Sequence, residues 1–156
     1  MKILCIEDDE STQLLLKKIL GSAAEVTVCG TAMEGLDVFV KEMLEFDLFD
    51  AVLLDINLPD LNGVHTLTLM RKFETVKGIM NNRKSKIIMM TGTADEQNVK
   101  NSLKNGCDNF LIKPVSKEKI EAKFKAVGLK LVLIEKLEKP KTQEESEKAK
   151  EEAAGS

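Results

Sequence analysis

The chain has 156 residues, 43% of them apolar, and a formal net charge of −3 at pH 7. That length suits one domain with a short appendage, and the apolar share is enough for a sizeable core. The mixed charges exclude a strongly basic nucleic-acid-binding surface, and no apolar run approaches the roughly 20 residues that a bilayer span requires.

The N-terminal MKILCIEDD turns acidic after a few apolar residues, unlike a signal or transit peptide, and this points to a cytoplasmic protein. KILCI (2–6) predicts a first strand; Ser11 or a nearby acid is placed to cap the helix that follows, which Gly21 stops after Leu20. EVTVC (25–29), rich in β-branched residues, predicts a second strand. A helical pattern then runs from about Ala32 to Phe46, with Met33, Leu36, Val40, Met43 and Leu44 on one face. AVLLD (51–55) predicts a third strand ending on Asp55, and the loop around Pro59–Gly63 leads to a helix from about Val64 to Met80. KIIMM (86–90) predicts a fourth strand, and a short polar helix opens at Asp95 and stops at Asn105–Gly106. NFLI (109–112) predicts a fifth strand, and Ser116 opens the last helix.

Five strand–helix units in this order predict an α/β fold, a doubly wound five-stranded parallel sheet with flanking helices. The unbroken apolar strands AVLLD and KIIMM agree, because parallel strands are covered on both faces. Cys5, Cys29 and Cys107 lie far apart with no CxxC pair, and read as small buried thiols kept reduced rather than as metal ligands. His65, the sole histidine, reads as a surface residue near the start of the third helix.

The C-terminal part has another character. Ile120, Phe124, Val127, Leu131 and Ile134 step by four and three in alternation, a stripe that predicts an extended last helix running straight through Gly128. The expected division is a domain over 1–127, an apolar helical extension over 128–139 and a charged, disordered tail over 140–156. Leu131 to Leu137 would leave an apolar strip in water, so the extension is expected to pair with a partner helix or to form a homodimer.

In parallel sheets ligands bind at the C-terminal strand ends, where strand order reverses. Here those ends carry Glu7-Asp8-Asp9, then Asp55 with Asn57 two residues on, then Thr91-Gly92-Thr93, then Lys113-Pro114. Clustered carboxylates repel one another unless a cation relieves them, and Mg2+ suits a site with few protein ligands and several waters. Asp55 is then a candidate nucleophile toward phosphorus, forming an acyl phosphate. Lys113 and the Thr91 hydroxyl would neutralise or hydrogen-bond the phosphoryl oxygens.

The segments IEDD, LLDINLPDLNG, MMTGTA and GCDNFLIKP, in this order, resemble the receiver domain of two-component response regulators, of the CheY-like stand-alone type, over about residues 1–127. The resemblance implies a flavodoxin-like fold and a phosphoprotein in which Asp55 accepts phosphate from a sensor histidine kinase or a histidine phosphotransfer protein. It also implies Mg2+ ligated by Asp9, Asp55 and the backbone carbonyl of Asn57, with Asp8 holding the metal, often through water. Lys113, before a cis bond to Pro114, would pair with the phosphoryl group. Thr91 would swing in to bind a phosphoryl oxygen, and Phe110, matching the switch aromatic, would follow it inward. Similar proteins signal to a downstream protein target through the fourth helix, fifth strand and fifth helix, here roughly residues 95–127.

Two departures stand out. Gly92 occupies a position where the family often has alanine, and the segment between Asp55 and Thr91 is longer than usual, with the extra length near GIMNNRKSK. Too little chain follows residue 127 for an effector domain, so the expected output is protein–protein contact or onward phosphorelay. An alternative is a receiver-like scaffold that acts through its C-terminal helix without phosphorylation; the complete set of site residues weighs against it. A phosphatase working through an aspartyl phosphate would carry a second Asp two residues after its nucleophile. Asn57 stands there and cannot donate a proton comparably, so the chain is expected to be a phosphoacceptor, with autophosphorylation from small donors and autodephosphorylation, rather than an enzyme.

Overall fold

The computed structural model describes residues 1–93 and 95–133. Five strands, β1 (Lys2–Ile6), β2 (Glu25–Cys29), β3 (Ala51–Asp55), β4 (Lys86–Thr91) and β5 (Asn109–Ile112), alternate with five helices. The helices are α1 (Glu10–Leu20), α2 (Ala32–Leu44), α3 (Gly63–Lys77), α4 (Glu96–Lys104) and α5 (Lys117–Ala126). All strands pair in parallel in the order β2-β1-β3-β4-β5, so the order reverses between β1 and β3. Asp9, Thr31, Asn62, Asp95 and Ser116 each accept a first-turn N–H and so start the five helices.

Strand alternation divides the interior into two cores. Leu4, Ile6, Val52, Leu54, Ile87 and Met89 meet α2 and α3 on one face. Ile3, Cys5, Ala51, Leu53, Ile88 and Met90 meet α1 and α5 on the other. Every residue of β3 is buried, which is why AVLLD carries no polar alternation before Asp55. Each leucine removed fully from water here contributes about 2 kcal/mol. The three cysteines are free and buried; burial pushes the Cys5 thiol up to about 12, and those of Cys29 and Cys107 up to about 11. Among the described residues no helix is long and apolar enough to cross a membrane.

Three expectations need correction. In α2 the buried line is Ala32, Gly35, Leu36, Phe39 and Met43, whereas Met33 and Leu44 are 55% and 56% exposed. The helix lies so close to β1 that a Cβ on Gly35 would sit 2.2 Å from Ile6 Cδ1, so small residues mark the contact. Secondly, α3 ends at Lys77 rather than Met80, because Gly78 takes a left-handed φ of 76° and its N–H and that of Ile79 close back on Thr75 and Glu74.

The longer segment after α3 turns through a 3-10 helix at Asn81–Arg83 and is fastened by a buried carboxylate. Glu74 accepts the Ser85 N–H at 2.9 Å and pairs with Arg71 at 2.7 Å. Arg71 also donates to the carbonyls of Ser85 and Gly106 and to Asp108. A fully hydrogen-bonded pair of this kind offsets its own desolvation. Glu74→Gln keeps the shape but has one acceptor oxygen where the carboxylate has two, so either the Ser85 N–H or the Arg71 guanidinium is left facing an NH2 group. Its urea midpoint is expected to fall by the equivalent of about 1 kcal/mol with an unchanged slope.

The third correction concerns the last helix. It stops at Ala126: Gly128 adopts a φ of 82°, its N–H bonds to the Lys125 carbonyl, and the Leu129 N–H bonds to Phe124. That pair of bonds is a Schellman ending, closed by the apolar contact that brings Leu129 onto the Phe124 cluster. Residues 128–133 therefore do not extend the helix, and the expected helix over 134–139 and the tail over 140–156 lie outside the described residues.

Candidate functional site

The C-terminal edge of the sheet at the β1/β3 reversal holds the candidate site. Glu7 continues the side of β1 that carries Ile3 and Cys5, and its N–H extends the ladder to the Cys29 carbonyl at 3.0 Å. Asp55 continues the side of Ala51 and Leu53, and Lys113 that of Leu111. Three charged groups thus leave the edge on the α1/α5 side, next to one another.

Asp55 is 3% exposed. Its Oδ2 lies 3.0 Å from Lys113 Nζ, and its Oδ1 accepts the Asn57 N–H at 3.2 Å. Glu7 is fully buried, with Oε2 2.5 Å from the same ammonium. Burial pushes the Glu7 carboxyl above the ordinary glutamate range, against the pull of Lys113. Burial alone would lower the Lys113 value, but its hydrogen bonds to Glu7 and Asp55 hold it above the usual lysine range.

One carboxylate oxygen each of Glu7, Asp8 and Asp55 lies within 4.8 Å of the others. All three are hard oxygen donors, and Glu7 Oε2 is buried with the Lys113 ammonium beside it. This donor set fits Mg2+, which asks for oxygen ligands and retains water. The chemistry such an ion supplies is charge neutralisation at a phosphoryl group.

Asp9 is not brought into the cluster. Its exposed carboxylate accepts the N–H and hydroxyl of Thr12, both at 2.7 Å, and these hold its pKa below the usual range. As the α1 N-cap it faces the first turn of the helix, whereas Asp8 and Glu7, farther back along the chain, join Asp55. Glu7, named in the sequence only as one of the acids at the end of β1, is the most buried of the three. The Asp9–Thr12 spacing just before the helix was the available signal, since Asp is favoured at N-caps.

The remaining expected residues lie on β4, on β5 and in the loops that follow β3 and β5. Thr91 is buried at the end of β4, with its hydroxyl donating to the Thr93 carbonyl at 2.7 Å and accepting the Thr93 N–H. Asn57 leads the loop out of β3. Asp60 in that loop receives the Ala32 and Met33 N–H groups, both at 2.9 Å, tying the loop to the start of α2. Phe110 is half-buried against the α2/α3 core, with the Lys123 ammonium 5.4 Å from its ring centre. The Lys113–Pro114 bond is cis.

A family model described as the response regulator receiver domain matches residues 3–125. The nitrate/nitrite response regulator protein NarL of Escherichia coli is 31% identical over 137 residues, which cover 86% of this chain and 58% of that protein. The chain thus spans little more than half the length of that relative. The CheY-like receiver domain protein of Methanospirillum hungatei is similar in structure, with a TM-score of 0.65 at 33% identity over 80% of this chain and 90% of that one. A receiver domain protein of Clostridium thermocellum gives a TM-score of 0.68 at 25% identity, over 81% and 92%. The chain belongs to the response regulator receiver domain family of two-component signalling, whose members are phosphoacceptors.

Proposed function

We propose that this chain accepts a phosphoryl group on Asp55 from a histidine kinase or histidine phosphotransfer protein, in a Mg2+-dependent reaction. The observation that carries the reading is the buried Asp55 carboxylate held between the Lys113 ammonium and the Glu7/Asp8 acids. A carboxylate oxygen attacks phosphorus, the phosphorus–nitrogen bond of phosphohistidine breaks, and the leaving imidazole nitrogen keeps the electron pair and takes up a proton. Lys113 Nζ, already 3.0 Å from Asp55 Oδ2, stays beside the new phosphoryl oxygens. The Thr91 hydroxyl exchanges its local Thr93 carbonyl for a phosphoryl oxygen, and Phe110 moves into the space this leaves. The altered α4–β5–α5 surface then meets a protein target.

The test is intact mass spectrometry after incubation with acetyl phosphate and Mg2+. A single phosphoryl adduct is expected in the wild type and none in Asp55→Asn. A wild type that stays unmodified, with no response to beryllium fluoride by NMR, would remove the phosphoacceptor reading for this chain.

Metal binding separates the acids. Mg2+ at ten times its Kd is expected to raise the unfolding free energy of the wild type by about 1.4 kcal/mol. Asp8→Asn should abolish this gain. Asp9→Asn should keep it, because asparagine still caps α1. Loss of the Mg2+ response in Asp9→Asn alone would restore Asp9 as a ligand. Circular dichroism can follow this unfolding, since the chain has no Trp or Tyr.

A further inference from the structure

The longer loop after α3 takes no part in the site at the β1/β3 reversal. It enters β4 at Lys86, on the N-terminal edge of the sheet, and there it lines a groove of about 400 Å3 with Asn81, Lys84 and Ser85. Lys104, the last residue of α4, lines the same groove, as do Arg71, Lys86 and Asp108. Part of this charge is answered internally. Arg71 pairs with Glu74 at 2.7 Å and with Asp108 at 2.8 Å, and Lys86 lies 3.8 Å from Asp108, so two cations meet two carboxylates. Lys84 and Lys104 have no ion pair among the described residues, and the Asn81 side chain has no hydrogen bond there. The groove therefore keeps two uncompensated positive charges.

Unpaired lysines alone are ordinary on a surface, but Ser85 is not ordinary. It is 1% exposed, its N–H and carbonyl are taken by Glu74 and Arg71, and its hydroxyl is buried with no hydrogen-bond partner. A buried hydroxyl left in that state is costly unless something meets it. In step with Ile87 and Met89, Ser85 faces the α3 side of the sheet, where Arg71 lies. The carbonyls at the end of α4, which would repel an anion, are already engaged. Those of Asn101, Ser102 and Leu103 accept the N–H groups of Asn105, Cys107 and Gly106, and that of Gly106 accepts Arg71 Nε at 2.8 Å. We infer that this groove binds a phosphate group, as the free dianion or as a small phosphomonoester. Lys84 and Lys104 supply the two charges, and the Ser85 hydroxyl and the Asn81 amide donate to the phosphate oxygens. The site sits at the end of β4 remote from Thr91 and is separate from the phosphoacceptor edge.

The probe is inorganic phosphate, added to the metal-free full chain at an ionic strength held constant with chloride, and followed by amide NMR. Saturable shifts are expected at Ser85, Lys86 and Gly106, with the amides of Asp55 and Asn57 unmoved. Lys84→Ala with Lys104→Ala should weaken binding about tenfold, and Ser85→Ala, which keeps every charge, about threefold. Ser85→Ala removes an unsatisfied hydroxyl, so it should fold at least as well as the wild type. Glycerol 3-phosphate is titrated alongside: tighter binding than phosphate assigns the groove to an organic phosphate, and equal binding to the free ion. Shifts that do not saturate, or that survive loss of both lysines, would overturn the site. So would a response confined to the Asp55 edge, or an affinity unchanged in Ser85→Ala, which would reduce the groove to diffuse surface charge. No metal or phosphoryl donor is present, so the result is independent of the reading for Asp55.

Discussion

Lys113→Met is expected to lower the unfolding free energy by about 3 kcal/mol in metal-free buffer, the range for breaking a buried ion pair. The ammonium is the shared partner of two carboxylates, 2.5 Å from Glu7 and 3.0 Å from Asp55, where Glu7 is fully buried and Asp55 nearly so. Without it both acids remain buried side by side, and each loses its attraction while keeping its desolvation. Removing the second partner at the same time should relieve the site: Glu7→Gln with Lys113→Met is expected to recover most of the loss. The single substitution should also tighten Mg2+ binding, because the ammonium and the metal draw on the same carboxylates. A double variant no more stable than Lys113→Met would show that packing of the lysine stem, rather than charge pairing, sets the cost. Urea titration followed by circular dichroism measures the first effect, and Mg2+ titration by NMR the second.

This network explains what the sequence could and could not disclose. The strands were legible because each is an apolar run bounded by turn residues, and β3 ends on the one carboxylate its burial makes conspicuous. The convergence of Asp55, Thr91 and Lys113 followed from topology alone, since parallel strands in this order bring their C-terminal ends to one edge. Which acid of Glu7-Asp8-Asp9 faces inward was not legible in composition. It depends on where β1 stops and α1 starts, and a single residue of difference turns an inward-facing acid into a helix cap. The last helix misled for a related reason. The heptad-like stripe from Ile120 to Ile134 passes through Gly128, and periodicity treats a glycine as neutral. The backbone does not: a left-handed glycine followed by an apolar residue ends a helix and folds Leu129 back onto it. In α2 the same blindness hid Ala32 and Gly35, whose lack of bulk is what lets the helix approach Ile6.

Gly63→Ala is expected to be the most damaging of the small substitutions, costing about 3 kcal/mol and abolishing the acetyl phosphate adduct. Gly63 is the first residue of α3, and its N–H donates to the Ile56 carbonyl at 2.7 Å. A Cβ there would lie 2.1 Å from the Asp55 carbonyl oxygen, 2.7 Å from Ile56 Cα and 2.9 Å from the Asp55 carbonyl carbon. These are backbone atoms, so no rotamer change can relieve the clash. Either the first turn of α3 lifts away, or the end of β3 moves and takes the Asp55 carboxylate and Asn57 with it. Two other glycines calibrate the effect. At Gly35 the intruding methyl meets side-chain atoms of Ile6 rather than backbone, Cδ1 at 2.2 Å and Cγ1 at 2.7 Å, so Gly35→Ala should cost less than Gly63→Ala and leave phosphorylation intact. At Gly92 nothing lies within 4 Å, and alanine there should stabilise by about 0.5 kcal/mol by restricting the unfolded chain. The order of the three midpoints, Gly92→Ala above Gly35→Ala above Gly63→Ala, is the measurement. A Gly63→Ala variant that unfolds like the wild type and still takes phosphate would mean that α3 does not set the position of Asp55.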